Sequence, residues 1–256
     1  MDRIKISNSM KKIALVMSLI VIQLMQGQPI CVFIEGLTGA GKTTFLELLK
    51  KNIPEIAIMR EPVDEYCDVQ GTGNILELYF KDLSRWGLAA ILYCNATCTK
   101  SVEHCIRLAT SPLIIFDRSP QTGMYAFAYA THRLGSLTDL ELAIARQVCS
   151  VLWNSLTIKP AGYIYLRCSP ETAMNRIRQR GRVEEASLSM EFEKTLHYFH
   201  ENWLIYKKGI AQEYVNIPVL VIDAEQNFKD DAEAQHSFVQ QVREFIGQLS
   251  EKQIDT

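Results

Sequence analysis

This chain has no surplus of positive charge. Lys and Arg number 27 against 29 Asp and Glu, and the net charge is −2. A protein that grips a nucleic-acid backbone needs a basic surplus, so no nucleic-acid partner is expected. Nor is there a CxxC pair, and the seven cysteines (Cys31, Cys67, Cys94, Cys98, Cys105, Cys149, Cys168) are odd in number. That argues against a disulfide framework and for a reducing compartment. Cys94, Cys98 and Cys105 share one face of a predicted helix; a metal site fits there, but buried small residues fit better. His197 and His200 are three apart with no third ligand nearby, which reads as packing or surface. Internal repeats and low-complexity linkers are absent as well. One domain is therefore expected over residues 29–250, after an extension at 1–28 and before a tail at 251–256.

No apolar run is comfortably long enough to span a membrane. In the extension, Arg3, Lys5, Lys11 and Lys12 precede the apolar stretch Ile13 to Met25. This resembles the basic and apolar regions of a signal peptide, yet no small-x-small cleavage site follows. A basic mitochondrial presequence and a functional start at Met25 are the other readings. The expected location is the cytoplasm, with the mitochondrion as the alternative.

What is present is a phosphate-binding loop. Gly36-Leu37-Thr38-Gly39-Ala40-Gly41-Lys42-Thr43 fits G-x-x-x-x-G-K-[ST] at every fixed position. The apolar run Ile30–Ile34 reads as a buried strand before it, and a helix starts at Thr43-Thr44 behind it. The glycines let successive N–H groups wrap a phosphate, and the helix N-terminus adds partial positive charge. Lys42 can reach the β/γ-phosphates, and the Thr43 hydroxyl can ligate Mg²⁺. The alternative is a chance glycine-rich turn, which the strand, loop and helix context argues against.

Further apolar runs at Ile56–Met59, Leu113–Phe116, Tyr163–Leu166 and Val219–Ile222 read as strands. The segments between them have helical periodicity, at Gly73–Phe80, Leu83–Ala109, Pro120–His132, Thr138–Leu156, Pro170–Arg180, Met190–Lys208 and Asp230–Leu249. The alternation predicts an α/β fold with a parallel sheet of about five strands and helices on both faces. Ligands of such sheets bind beyond the strand carboxyl ends, so the residues that follow each strand are the candidate site. Glu61, kept out of helix by Pro62, could act as a base on a hydroxyl or be a solvated surface residue. Asp117 suits an Mg²⁺ partner of the Walker-B kind, and Arg118 could steady a phosphoryl group; Asp and Ser before Pro120 are equally natural as a helix cap. The charged run Arg176 to Glu185 reads as a solvated helix face or as a mobile lid whose arginines close over phosphates.

In this order, the P-loop, Glu61-Pro62-Val63, Asp117-Arg118-Ser119 and Arg176-x-x-x-Arg180-Gly181-Arg182-x-Glu184-Glu185 resemble the deoxynucleoside kinases. The resemblance runs from about Ile30 to Phe245 and is close again at Arg85-Trp86-Gly87-Leu88 and Leu196-His197-Tyr198-Phe199-His200. It implies a P-loop kinase fold with an arginine-rich lid, ATP as donor, Mg²⁺, a deoxynucleoside acceptor and a homodimer. Glu61 would be the base on the 5′-hydroxyl, with Arg118 holding that hydroxyl and the incoming phosphoryl. Arg176, Arg180 and Arg182 would bind phosphates, and Glu185 the sugar 3′-hydroxyl. The stretch Asp223 to Phe228, including Gln226, resembles the loop around the adenine.

The nucleoside pocket departs from the family pattern. Ile91 stands where relatives carry a base-reading Gln. Phe80 replaces a sugar-binding Tyr, although Tyr79 is adjacent. Tyr66 replaces a Trp, and Gly123 an Asp used in reading cytosine; Phe127 matches the aromatic that stacks on the base. Because hydrogen-bond readout discriminates far more than apolar fit, this pocket is expected to read its base loosely or differently. The implied activity is 5′-phosphorylation of a deoxynucleoside, with thymidine or deoxycytidine favoured. A non-catalytic scaffold with the kinase fold, or a kinase of another small hydroxylated acceptor, is the alternative.

Overall fold

The computed structural model describes residues 28–254. Residues 1–27 of the extension and 255–256 of the tail lie outside the described residues. Five strands, β1 (Ile30–Glu35), β2 (Ala57–Met59), β3 (Leu113–Asp117), β4 (Gly162–Arg167) and β5 (Val219–Asp223), form one sheet in the order β2-β3-β1-β4-β5. Every neighbouring pair is parallel. Side chains alternate between the two faces. Val32 and Ile34 join Ile115 and Ile164 in one core, whereas Cys31 and Phe33 join Ile114, Phe116 and Tyr163 in the other. The central strands β1, β3 and β4 are buried on both faces, which is why they read as continuous apolar runs. Each such Ile or Phe contributes about 1.5–3 kcal/mol by leaving water.

The helices are α1 (Lys42–Asn52), α2 (Val63–Cys67), α3 (Ile75–Lys81), α4 (Leu83–Leu108), α5, α6 (Asp139–Asn154), α7 (Pro170–Arg180), α8 (Met190–His200), α9 (Gln212–Val215) and α10 (Ala232–Ile254). Helix α5 joins Pro120–Thr122, a π-helical stretch Gly123–Ala128, and Tyr129–Arg133. Several boundaries have side-chain causes. Asn74 caps α3 by accepting from Glu77 N, and Thr138 and Glu141 form a capping box on α6. Ser169 and Pro170 open α7, and Gly181 closes it in the left-handed conformation at φ 66°. The predicted helix Met190–Lys208 ends earlier, α8 passing into a π-helical stretch at Glu201–Ile205. Among the described residues no helix is long and apolar enough to cross a membrane.

Seven free thiols are spread through the fold, with Cys98 buried and Cys94 and Cys105 half-buried on α4. His200 is fully buried, its ring parallel to Tyr165 and its Nδ1 on Leu196 O. Among the described residues no group of three or more His, Cys, Asp or Glu is placed to hold a metal ion.

Candidate active site

Strand order reverses on either side of β1. A cleft of about 1160 Å³ opens there, at the carboxyl ends of the strands. The P-loop forms its floor. Gly41 takes φ 96° at the N-cap of α1, and Lys42 is the first helical residue. Gly36 and Gly39 also have positive φ, and a Cβ on either would sit 2.6 Å from Leu166 O or 2.5 Å from Ala173 O. Only glycine fits there. Lys42 Nζ donates to Gly36 O at 3.1 Å and Leu37 O at 2.8 Å, which folds it beneath the loop. Burial, then the nearby Arg118 charge, lowers the Lys42 pKa to about 8. Thr38, Gly39, Gly41, Lys42, Thr43 and Thr44 line the cleft; Gly36, Leu37 and Ala40 support it from behind.

Glu61 faces this floor. Its Oε2 lies 3.3 Å from Arg118 Nε, and both residues line the cleft with Asp117. Burial pushes the Glu61 carboxyl above its ordinary pKa, while the Arg118 charge pulls it down. For Arg118, burial opposes the charge, but Glu61, Glu35 and Asp117 outweigh it and hold the guanidinium ionised. Arg118 also lies over the Phe127 ring, 5.3 Å from its centroid. Arg118 Nη1 and Asp117 Oδ1 are buried with no hydrogen-bond partner. Unmatched polar atoms at this depth suit a phosphoryl oxygen and a cation respectively. Mg²⁺ typically takes one or two protein oxygens alongside phosphates and water, so Asp117 with the Thr43 hydroxyl is an adequate donor set.

Arg118 has φ 63°, an uncommon conformation for a large side chain. Glu35, missed by the sequence reading, holds this turn. Its carboxylate accepts from Ser119 N at 2.9 Å and from Thr122 Oγ1 at 2.7–2.8 Å. Arg118 N reaches Ile34 O at 3.0 Å. The strain is thus held by the end of β1. Burial raises the Glu35 pKa to about 7. A carboxylate between a buried strand and the first P-loop glycine was the available signal.

The lid arginines separate in role. Arg180 Nη2 lies 2.7 Å from both oxygens of the buried Glu185, and Arg182 Nη1 lies 3.7 Å from Oε1. Arg176 is tied down, donating to the carbonyls of Ala224, Glu225 and Gln226. Glu225, also missed, bonds Ser169 N, Ser169 Oγ and Thr172 Oγ1 at the start of α7. Together these clamp the loop after β5 onto α7. Phe228 from that loop lines the cleft, and its ring lies 3.3 Å from where a Gly41 Cβ would stand; Asp223 and Gln226 do not line the cleft.

At the far end Tyr66, Phe80, Ile91, Gly123, Phe127 and Glu185 line the cleft. Tyr79, Phe80 and Phe127 make ring contacts with one another or with Phe192. The Tyr79 hydroxyl is engaged by Thr131 Oγ1 at 2.7 Å. Glu193 on α8 is fully buried, and neither carboxyl oxygen has a partner. Burial raises its pKa to about 8 against the pull of Arg118 and Lys42. Nothing in its sequence neighbourhood, rich in charge, marks it as buried.

The chain is similar to known kinases of deoxynucleosides. Mouse (Mus musculus) deoxycytidine kinase is 31% identical over 240 residues, which cover 84% of this chain and 90% of the relative. Deoxycytidine kinase 2 of Gallus gallus is 30% identical over 236 residues, with 83% and 89% covered. The mitochondrial thymidine kinase 2 of Homo sapiens is 31% identical over 200 residues, with 78% and 72% covered. Since the deoxynucleoside kinase family matches residues 30–247, the chain belongs to that family, the ATP-dependent kinases of deoxynucleoside salvage.

Proposed function

We propose that this deoxynucleoside kinase phosphorylates the 5′-hydroxyl of a pyrimidine deoxynucleoside, thymidine or deoxycytidine, with Glu61 as general base. The observation that carries the reading is the Glu61–Arg118 pair, which faces the P-loop across a single cleft. Phosphoryl transfer needs positioning and charge stabilisation more than covalent chemistry. Glu61 takes the hydroxyl proton. Arg118 holds the hydroxyl oxygen beside it and offers the free Nη1 to the arriving phosphoryl group. Lys42 leaves the carbonyls of Gly36 and Leu37 for the donor phosphates.

Arg180 and Arg182 divide their charge between Glu185 and the phosphates, and Glu185 receives the sugar 3′-hydroxyl. Arg176 acts through the adenine loop, which it holds by three carbonyls. Thr43 and Asp117 would hold Mg²⁺, which neutralises phosphate charge when bound. Phe127 supports the base face, with Tyr66, Phe80 and Ile91 around it. A homodimer is part of the reading, supported by the exposed stripe Leu140, Ile144, Val148 and Val151 along α6. The free thiols support a reducing location, the cytoplasm or alternatively the mitochondrion.

The test is Mg²⁺-ATP-dependent phosphorylation of the four deoxynucleosides by the purified chain. Conversion of at least one pyrimidine deoxynucleoside to its monophosphate is expected. Intact ATP binding without turnover of any nucleoside would refute the assignment.

A further inference from the structure

One polar group on the acceptor wall has no role so far. Asn95 lies one helical turn beyond Ile91 on α4, and both line the cleft. Asn95 is 2% exposed, and its amide is clamped from two sides. Trp153 Nε1 donates to Oδ1 at 2.9 Å, and Nδ2 donates to Pro120 O at 2.8 Å. An indole N–H can only donate and a backbone carbonyl can only accept, so the amide cannot flip. One N–H and one oxygen lone pair remain.

Nδ2 is packed against Gly123: a Cβ at that position would lie only 2.5 Å from it. Gly123 also lines the cleft. The missing side chain at 123 and the amide at 95 are therefore complementary, and the amide presents its donor end at the Gly123 wall.

We propose that Asn95 reads the base, donating its remaining Nδ2–H to a ring carbonyl oxygen, so that a thymine-type C4 carbonyl is preferred over a cytosine-type amino group. An amino group there would set donor against donor and leave both unpaired in a buried site. The proposal rests on the kinase reading above and narrows its substrate.

The test is the ratio of kcat/KM for thymidine to that for deoxycytidine, measured on the full chain. The unaltered enzyme should favour thymidine by at least about tenfold. Asn95→Asp keeps an acceptor for Trp153 but removes both donors, and should lower the ratio at least about tenfold. Asn95→Ala should bring the ratio towards one. Gly123→Ala displaces the amide and should shift the ratio in the same direction. In the double variant Asn95→Ala/Gly123→Ala the second change should add nothing. Should the Asn95 variants lose ATP binding and hence their fold, the Gly123→Ala ratio decides. Preference of the unaltered enzyme for deoxycytidine, or a ratio untouched by these changes with turnover intact, overturns the proposal. Absence of turnover with every nucleoside would instead overturn the kinase reading beneath it.

Discussion

The donor and acceptor ends of the cleft are built by different means. At the donor end the working surface is backbone: Gly36 and Gly39 press against carbonyl oxygens, and Lys42 rests on two more. At the acceptor end it is side chains paired across distant segments: Glu61 with Arg118, Tyr79 with Thr131 and Asn95 with Trp153. A backbone surface of this kind tolerates almost no substitution. A side-chain surface can be retuned, because one partner can change when the other yields. The departures that the family resemblance implies at Tyr66, Phe80, Ile91 and Gly123 all lie on that side-chain surface, whereas the P-loop fits its motif at every fixed position.

The largest test of this contrast is Glu61→Gln. Loss of the base should cut kcat by about 10²–10⁴ while affinity for a fluorescent ATP analogue stays unchanged. An undiminished kcat would remove Glu61 from the chemistry. Next is Gly39→Ala, which drives a methyl to 2.5 Å from Ala173 O at φ 83°. Strain of about 1–3 kcal/mol should weaken ATP binding about ten- to hundredfold. Gly123→Ala, meeting only an amide side chain, should leave ATP binding nearly intact; equal losses would erase the distinction. Glu35→Gln, at the junction of the two ends, should lower kcat about tenfold by loosening the Arg118 turn, with a smaller change in ATP affinity.

Proton linkage sharpens the same division. The Glu61 pKa is raised, so activity should fall with decreasing pH, through an acid limb above the ordinary carboxylate range, as the base protonates. Lys42, at about 8, should lose its charge above that pH and weaken ATP binding by the free enzyme. Separate pH profiles for nucleoside and ATP would show the two limbs, and an acid limb near pH 4.5 would contradict the buried geometry of Glu61.

The smallest effect is on stability. Glu193 has a folded pKa near 8 against 4.5 when exposed, so between these values the folded state holds a proton that the unfolded state releases. Its contribution to stability therefore falls as pH rises through that window. Glu193→Leu should remove this slope and add about 1–3 kcal/mol at pH 8, seen as a higher Tm.

Much of this was legible in the chain because the cause was local. Strand runs, the P-loop, the Ser169-Pro170 start and Gly181 stop of α7, and Glu61 before its proline each follow from neighbouring residues. The π-helical stretches were not legible, since an apolar period of 3.6 does not show where a helix will widen. Glu35 left only the signal of its place before the first P-loop glycine, and Glu225 and Glu193 left none; the three carboxyls differ only in what packs around them. One satisfies a strained turn, one caps a helix, and one is buried without a partner.

The sequence by itself determined the sheet, the phosphate loop and the order of the candidate residues, because those depend on periodicity and on glycine at fixed spacing. Only the tertiary structure decided how the side chains around the cleft are wired. It tied Arg176 to the loop after β5 and Arg180 to Glu185, and it set Asn95 into the space left by Gly123. Those pairings join residues 5 to 50 positions apart in the chain, and most depend on how the helices pack over the sheet rather than on any local pattern.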